Sequence, residues 1–364
     1  MNVLSLFDGM SCGMLALQRA GIEVTNYFAS EIDKYSQIIS QKNFPQIIRL
    51  GDVTKVFAKD LPKIDLIIGG SPCQGFSMAG KMLGHEDPRS KLFWEFKRLV
   101  DECNPKYFLL ENVRMKKQDE QIITGAMGVK PLMINSALVS AQNRKRLYWT
   151  NINADVCDLF GTLQSHIPQP KDKHLFLKDI IEPEVDAKYY LTKKQIEILL
   201  QHKKRNKEAG NGFGINPHTI KDKCQTVRSN GLQHTGSPLL YCDYRTDEGL
   251  RIRENGKAGT IQARAREDCY GAGMVINSKC YQGDRQVTLQ EKAFCLSAQG
   301  ANNGGGAGQL LNANFTIRRL TPIECERLQT VPDNYTAGVS ETQRYKMLGN
   351  GWTVDVIARI LSYI

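Results

Sequence analysis

The sequence predicts an α/β protein whose main domain is a doubly wound, largely parallel sheet, interrupted by a smaller, loop-rich domain with short strands. Three observations carry this. Across the first 150 residues short apolar runs alternate with stretches of helical texture, as they do when parallel strands are joined by crossover helices. Several strand-like runs end on Gly or Asp, which let the chain turn and present polar groups at the carboxyl edge of the sheet, where ligands bind. From about Ile167 to about Asn314 the texture becomes rich in Pro, Lys, Gly and Asn, and after Thr316 the first pattern returns. The expected division is 1–166 for the main domain, 167–315 for the inserted one and 316–364 for the return to the first.

Val3 to Phe7 is the first expected strand and Met14 to Ala20 the first helix; Val24 to Ala29 and Lys34 to Asn43 are the next pair. Ile64 to Ile68, with the strand proper at Leu66 to Gly69, is apolar enough to be buried, and it leads into Gly69-Gly70-Ser71-Pro72-Cys73-Gln74-Gly75-Phe76-Ser77. Leu92 to Cys103 is helical, and Tyr107 to Leu110, Leu132 to Asn135 and Arg146 to Thr150 are strands. Pro322 to Gln329 and Trp352 to Tyr363 are expected helices, the second following Gly349-Asn350-Gly351.

At 364 residues and 24% charged, the chain has room for two domains. Its net charge of +10 is uneven: residues 171–266 hold 19 Lys and Arg against 12 Asp and Glu. That excess fits a polyanionic partner or a solvated basic face. Ten cysteines are scattered without a CxxC pair or a Cys/His cluster, so neither a zinc site nor a disulfide framework is expected, and reduced thiols in a cytoplasm fit best. The segment Met1 to Asp8 lacks a basic leader region, and no apolar run reaches the ~20 residues of a membrane helix; neither export nor membrane anchoring is expected.

Within the inserted region, strings beginning at Lys223, Lys257 and Lys292 are spaced by 34 and 35 residues and share a Lys-x-x-Thr/Cys-Val/Ile/Leu pattern. They read as strand-and-loop units on one sheet, or as chance similarity of short strings. Lys203-Lys204-Arg205-Asn206-Lys207 is a candidate phosphate contact.

Phe7-Asp8-Gly9-Met10-Ser11-Cys12-Gly13 closes the first strand and opens a helix, with glycines where a ligand must approach the backbone. It is not the G-x-G-x-x-G fingerprint, which disfavours a nicotinamide dinucleotide. Glu31 ends the second strand, placed to accept from ribose hydroxyls, and Asp52 ends the third; two acids beside a glycine turn suit an adenosine group. Asp8 and Asp52 equally suit helix caps. Cys73, held behind a proline after a buried strand, is either a small buried hydrophobe, the common fate of free cysteine, or a nucleophile at the cleft.

Read in order, the Phe-Asp-Gly turn, Ser30-Glu31-Ile32-Asp33, Gly51-Asp52-Val53, Ser71-Pro72-Cys73-Gln74, Glu111-Asn112-Val113, Gln142-Asn143-Arg144-Lys145-Arg146, Arg319-Leu320-Thr321-Pro322-Ile323-Glu324-Cys325-Glu326-Arg327-Leu328-Gln329 and Gly349-Asn350-Gly351 resemble the blocks of the DNA cytosine-5 methyltransferases. The resemblance covers nearly all of residues 1–165 and 316–364; the middle is only generically similar to that family's target-recognition domain.

The resemblance implies a Rossmann-like S-adenosylmethionine-dependent methyltransferase domain. It implies methyl transfer to C5 of a cytosine flipped out of double-stranded DNA, with S-adenosylhomocysteine as product. The biological setting would be restriction-modification or orphan phage DNA modification. Cys73 would add to C6, Glu111 would face N3 and Arg146 the O2 side, with Arg144 orienting the base, the DNA backbone or the catalytic loop. Without the resemblance the two arginines read as a solvated strand edge and Glu111 as an acid at a helix N-terminus. The cofactor contacts it implies are Phe7, Asp8, Gly9, Ser11, Cys12, Gly13, Glu31, Ile32, Asp52, Val53, Pro72, Leu92, Asn350, Trp352 and Thr353. Trp352 in Gly349-Asn350-Gly351-Trp352 resembles the Gly-x-x-Trp of the animal de novo methyltransferases, and lines the cofactor pocket or packs the terminal helix. The polar stretch from Ser77 to Lys91 looks like the family's loop that closes over the flipped base, with Ser77, Lys81, Met82 and Arg89 toward DNA. Arg228, Arg264 and Arg266 are the candidate base readers. The expected partner is double-stranded DNA, with no membrane and no metal, for a monomer acting on the nucleoid, any cognate restriction endonuclease acting separately. A tRNA-methylating relative would carry a Cys-Phe-Thr block, absent here, and a non-catalytic DNA-binding paralogue would lack the cysteine, glutamate or cofactor turn, all present.

Overall fold

The computed structural model describes residues 1–71, 91–210, 218, 221–226, 239–245, 249–251 and 315–364. The chain divides into two compact units: Met1–Leu175 with Gln225–Leu232 and Pro322–Ile364, and Phe176–Cys224 with Gln233–Thr321.

The first unit opens with β1 (Asn2–Leu6), α1 (Cys12–Arg19), β2 (Asn26–Ser30), α2 (Lys34–Asn43), β3 (Ile48–Arg49), β4 (Leu66–Gly70), α3 (Lys91–Cys103), β5 (Tyr107–Val113) and α4 (Lys117–Met127). It continues through β6 (Val129–Lys130), β7 (Leu132–Asn135), β8 (Gln142–Asn143), β9 (Lys145–Thr150), β10 (Ala154–Val156) and β11 (Leu163–Ser165). Seven of these strands form one sheet in the order β3-β2-β1-β4-β5-β9-β7. The strands from β3 to β5 are parallel, and β9 pairs antiparallel with both β5 and β7. β5 runs on to Val113, past the expected Leu110, because β9 pairs with it from Leu109↔Thr150 to Val113↔Arg146. That extension carries Glu111 and Arg146 into the sheet as neighbours.

Local chemistry explains the element boundaries. Asp33 caps α2, its carboxylate accepting from the backbone N–H groups of Tyr35 and Ser36. Gly128, at φ 65°, ends α4 in the left-handed conformation that glycine adopts without strain. Asp52 does not end a strand: β3 is shorter than expected, and Asp52 caps the 3-10 turn Val53–Lys55 by accepting from the Thr54 amide. The core lies against the sheet, where α3 buries Phe93, Phe96 and Leu99 beside Leu4, Ile67, Leu110 and Trp149. The spacing of three along α3 sets these side chains on one face, and each fully buried one contributes about 2 kcal/mol of transfer free energy. The Trp149 indole N–H is satisfied by Thr124 Oγ1 at 3.0 Å.

After the second unit the chain returns through α6 (Pro322–Leu328), α7 (Glu341–Asn350) and α8 (Val354–Leu361), taking α5 as Lys193–Glu208. α8 starts two residues later than expected and packs on α1, where Arg19 and Asp355 pair at 2.6 Å. β12 is the short Cys224–Gln225; in the second unit, β13 (Leu239–Arg245) pairs antiparallel with β14 (Gly249–Arg251) and β15 (Phe315–Arg319). Phe315–Arg319 therefore belongs to this unit, and the first resumes at Pro322. Leu191, Leu199 and Ile317 form its described apolar core, and Lys204 and Arg205 stand exposed on α5. Among the described residues no helix is long and apolar enough to cross a membrane, and no group of three or more His, Cys, Asp or Glu is arranged to hold a metal ion.

Candidate active site

Strand order reverses between β1 and β4, so the chain segments leaving these two strands diverge and leave a crevice at their carboxyl ends. A cleft of about 370 Å³ opens there, a volume in the range of small-molecule sites. Of the residues singled out in the sequence, Phe7, Asp8, Gly9, Cys12, Glu31, Ile32, Asp52, Val53, Leu92, Glu111, Arg144, Arg146, Asn350 and Trp352 line it. Pro72, Cys73, Ser77, Lys81, Met82, Arg89, Arg228, Arg264 and Arg266 lie outside the described residues, as do the strings beginning at Lys257 and Lys292.

The turn after β1 is unusual in its backbone. Phe7, Gly9 and Ser11 all have positive φ, at 57°, 59° and 63°, a conformation costly for the two that are not glycine. Asp8 holds it: its carboxylate accepts from Ser5 Oγ at 2.6 Å, Ser11 Oγ at 2.5 Å and Tyr27 Oη at 2.6 Å. Ser11 is thus a support of the turn and not a cleft residue, its hydroxyl also lying 2.7 Å from that of Ser40. Gly13 is likewise absent from the cleft wall. A Cβ there would come within 2.5 Å of Ile68 Cδ1 and 2.6 Å of Tyr27 Oη, so glycine lets α1 seat against β4.

Burial pushes the Asp8 carboxyl above its ordinary range, against the pull of its three hydroxyl donors, and the Glu31 charge adds to the rise. A raised folded-state value means that the proton favours the fold: Asp8 carries no ionisation penalty below about pH 4 and the full one above its folded-state pKa. Asp8→Asn removes this titration. The stability of wild type relative to Asp8→Asn should therefore fall as pH rises from about 4 through the folded-state pKa. Urea unfolding at a series of pH values measures it, and a difference independent of pH would count against the assignment.

Glu31 joins the turn to the second strand, accepting from Gly9 N at 2.8 Å on Oε2, and from Ile32 N at 2.8 Å and Asp33 N at 2.7 Å on Oε1. A carboxylate has about four lone-pair sites, so one remains for a ligand hydroxyl. Asp52 takes both Thr54 N and Thr54 Oγ1 on Oδ1, and no described donor meets Oδ2. These hydrogen bonds, the backbone one first, hold its carboxyl below the ordinary range. Asp52 is thus a cap and a cleft acid together. Ile32 projects into solvent at 76% exposure, an apolar surface available to a planar ring. Thin glycine walls, free acceptors on Glu31 and Asp52 and an exposed apolar edge fit an adenosine-bearing cofactor.

At the other end of the cleft, Glu111 stands on β5 directly beside Gly70 of β4. Its Oε1 lies 2.9 Å from Arg146 Nε and its Oε2 accepts from Trp352 Nε1 at 3.2 Å. The Arg146 N–H is not aligned for a hydrogen bond, so this contact is a charge pair, buried enough that solvent screens it little. Asn112, which the sequence reading placed in a motif without a site role, donates to Ser71 Oγ at 3.2 Å. It ties the end of β5 to the residue that precedes Pro72.

Two expected site residues have structural duties instead. Arg144 is buried, donating from Nη1 to the carbonyl of Gly349 at 3.2 Å and from Nη2 to that of Gly351 at 2.9 Å, so it anchors the Gly349-Asn350-Gly351 turn. Thr353 does not reach the cleft: its hydroxyl donates to Gln329 Oε1 and accepts from Ser136, both at 2.9 Å. The cleft also uses residues that sequence reasoning missed, among them Asp33 and Lys346, which pair at 2.5 Å, and Met10 and Met347. Met10 and Asp33 stand inside the turn after β1 and the Ser30–Asp33 block, whereas Lys346 and Met347 carried no signal in the sequence.

A doubly wound sheet with an antiparallel β5/β9/β7 edge and its cleft at the switch point defines a Rossmann-like methyltransferase. Its fold is similar to that of the Entamoeba histolytica methyltransferase EhMeth, with a TM-score of 0.65 at 17% identity, covering 100% of this chain and 97% of that one. In sequence it is 28% identical to the orphan methyltransferase M.SPRI of Bacillus phage SPR, over 99% of this chain and 96% of that protein. It is 26% identical to the type II methyltransferase M.HhaI of Haemophilus parahaemolyticus, over 100% of this chain and 93% of that protein. The family model for C-5 cytosine-specific DNA methylases matches residues 1–364. The chain belongs to that family, whose activity is methylation of cytosine in DNA at C5.

Proposed function

We propose that this protein transfers a methyl group from S-adenosylmethionine to C5 of a cytosine flipped out of a specific double-stranded DNA sequence, through a covalent bond from Cys73 to C6. The observation that carries the reading is the position of Glu111, paired with Arg146, beside the Gly70–Ser71 end of β4, two residues before Cys73 in sequence.

Cytosine C5 is a poor nucleophile until the ring loses its aromaticity. The Cys73 thiolate adds to C6, forming an S–C6 bond and driving electron density toward N3 and O2. Glu111 is the group to protonate or hydrogen-bond N3 as that charge develops, and Arg146, beside it, supplies positive charge on the O2 side. When bound, the cofactor supplies an electrophilic methyl group on sulfonium sulfur. C5, made nucleophilic by the Cys73 adduct, would accept that methyl group, with S-adenosylhomocysteine as the leaving group. A base then removes the C5 proton, and its electron pair expels the Cys73 thiolate and restores the ring. Arg144, by fixing the Gly349–Gly351 turn, holds one wall of the cleft in place.

The second unit, with its exposed Lys204 and Arg205, and the candidate readers Arg228, Arg264 and Arg266 would contact the duplex, with Ser77, Lys81, Met82 and Arg89 closing on the flipped nucleotide. A working thiol fits a reducing compartment, so the reading places the enzyme in the cytoplasm, as a monomer independent of any endonuclease.

The test is incubation with tritiated S-adenosylmethionine and mixed-sequence duplex DNA. Label in DNA at 5-methylcytosine is the expected result, and bisulfite sequencing of DNA from an expressing host gives the target sequence. Absence of 5-methylcytosine from both would overturn the reading.

A further inference from the structure

We propose that Trp352 is a positioning residue for Glu111, a donor that sets the carboxylate for its contact with the base, and that it does so from the cofactor side of the cleft. The inference rests on the reading of Glu111 as the group facing cytosine N3. Among the described residues, the Trp352 indole is the one side chain whose N–H is aligned to hydrogen-bond the Glu111 carboxylate, at 3.2 Å to Oε2. Arg146 approaches the other oxygen as a charge without an aligned hydrogen bond, so the Trp352 N–H is the directional contact that fixes the plane of the carboxylate. A carboxylate left free to rotate about its terminal torsion would present the wrong oxygen, or the wrong angle, for much of the time.

The surroundings show that this contact is built. Gly70 pairs in register with Glu111, and a Cβ at Gly70 would lie 2.9 Å from both Glu111 Oε2 and Trp352 Nε1. A residue with a side chain at that point would separate donor from acceptor. The backbone that carries the indole is held on both sides. The carbonyl of Gly351 takes hydrogen bonds from Arg144 Nη2 at 2.9 Å and Gln329 Nε2 at 3.4 Å, and the Thr353 hydroxyl is bonded to Gln329 and Ser136. The indole also lines the cleft, close to the start of α1, where a Cβ built on Gly13 would come 3.5 Å from Trp352 Cζ3. One rigid ring thus forms part of the cofactor cleft and orients the acid that serves the base.

Trp352→Phe keeps the apolar ring and deletes the donor. In steady-state methylation of duplex DNA, kcat should fall about tenfold, as expected for loss of one hydrogen bond to a charged group, while KM for S-adenosylmethionine stays within about twofold. The dependence on Glu111 is read by a double-mutant cycle under single-turnover conditions: in a Glu111→Gln background, Trp352→Phe should cost less than about twofold. A raised KM with unchanged kcat would make the indole a cofactor wall alone, and an equal loss in both backgrounds would show action independent of Glu111; either overturns the proposal. Gly70→Ala perturbs the same contact by a separate route and should reproduce the kcat loss, which covers the case in which Trp352→Phe folds poorly. An inactive wild type would instead count against the methyltransferase reading itself.

Discussion

Replacing Cys73 with serine is expected to lower DNA methylation by more than about 10⁴-fold and to abolish the covalent complex with 5-fluorocytosine-containing DNA, leaving cofactor and DNA binding intact. The reason is chemical. A thiolate is accessible near neutral pH when its pKa is lowered by nearby positive charge, whereas a serine hydroxyl is not appreciably ionised and adds poorly to the C6 carbon. Fluorine at C5 cannot leave as a proton does, so wild-type enzyme stalls with the S–C6 bond intact and the adduct survives denaturing gel electrophoresis. Cys12, Cys103, Cys157, Cys224 and Cys325, whose side chains the structure describes, offer no substitute. Cys12 lines the cleft, but burial pushes its thiol up to about 12, leaving almost no thiolate at neutral pH. Burial also raises the Cys103 and Cys224 thiols, and Cys325 is buried. Cys157 is exposed but lies between β10 and β11, away from the carboxyl edge of the main sheet. Retention of the fluorocytosine adduct by Cys73→Ser would mean that another residue is the nucleophile.

Glu326→Ala is expected to destabilise the protein by about 3 to 5 kcal/mol, the scale on which a buried ion pair fails when one partner is removed. Glu326 on α6 is fully buried, and its carboxylate collects the Asn334 amide at 2.7 Å, the Thr336 amide at 2.8 Å, the Thr336 hydroxyl and Arg344 Nη2 at 2.9 Å. Truncation strips four donors of their acceptor at once and leaves the Arg344 guanidinium, mostly buried, without its counter-charge. The damage should reach the active site, because Arg344 lies on α7, whose end is the Gly349-Asn350-Gly351 turn that carries Trp352. Glu326→Gln, which keeps the shape and part of the acceptor capacity, should cost less. Urea unfolding measures both, and a loss below about 1 kcal/mol for Glu326→Ala would show that water replaces the carboxylate without penalty.

The two halves of the candidate site differed in how well they could be read from sequence. The cofactor end was legible because its cues are local: an Asp and two glycines between a strand and a helix, and an acid just after the second strand. The base end was legible only through the order of short motifs. Glu111 in isolation is one acid after an apolar run, and Arg144 and Arg146 are two arginines in a basic stretch. Without the family resemblance the sequence could not separate these two, yet in the fold they part company. Arg146, within β9, meets Glu111, while Arg144, just before the strand, is bonded to the carbonyls of a turn more than 200 residues away. Ser11, Gly13 and Thr353 sit in the right motifs but support the cleft from behind.

By itself, the sequence determined the alternation of strands and helices over the first 150 residues, the motif order and the identity of the nucleophile candidate. These depend on hydrophobic periodicity, turn residues and side chains acting on backbone groups a few residues away. Only the tertiary structure decided what surrounds Glu111. Its hydrogen-bond donor comes from 241 residues further along the chain, and the space for that bond depends on a missing side chain at Gly70, on the neighbouring strand. Contacts of that kind are set by which strands adjoin and which faces pack. The sheet order β3-β2-β1-β4-β5-β9-β7 brings them together, and no local pattern encodes them.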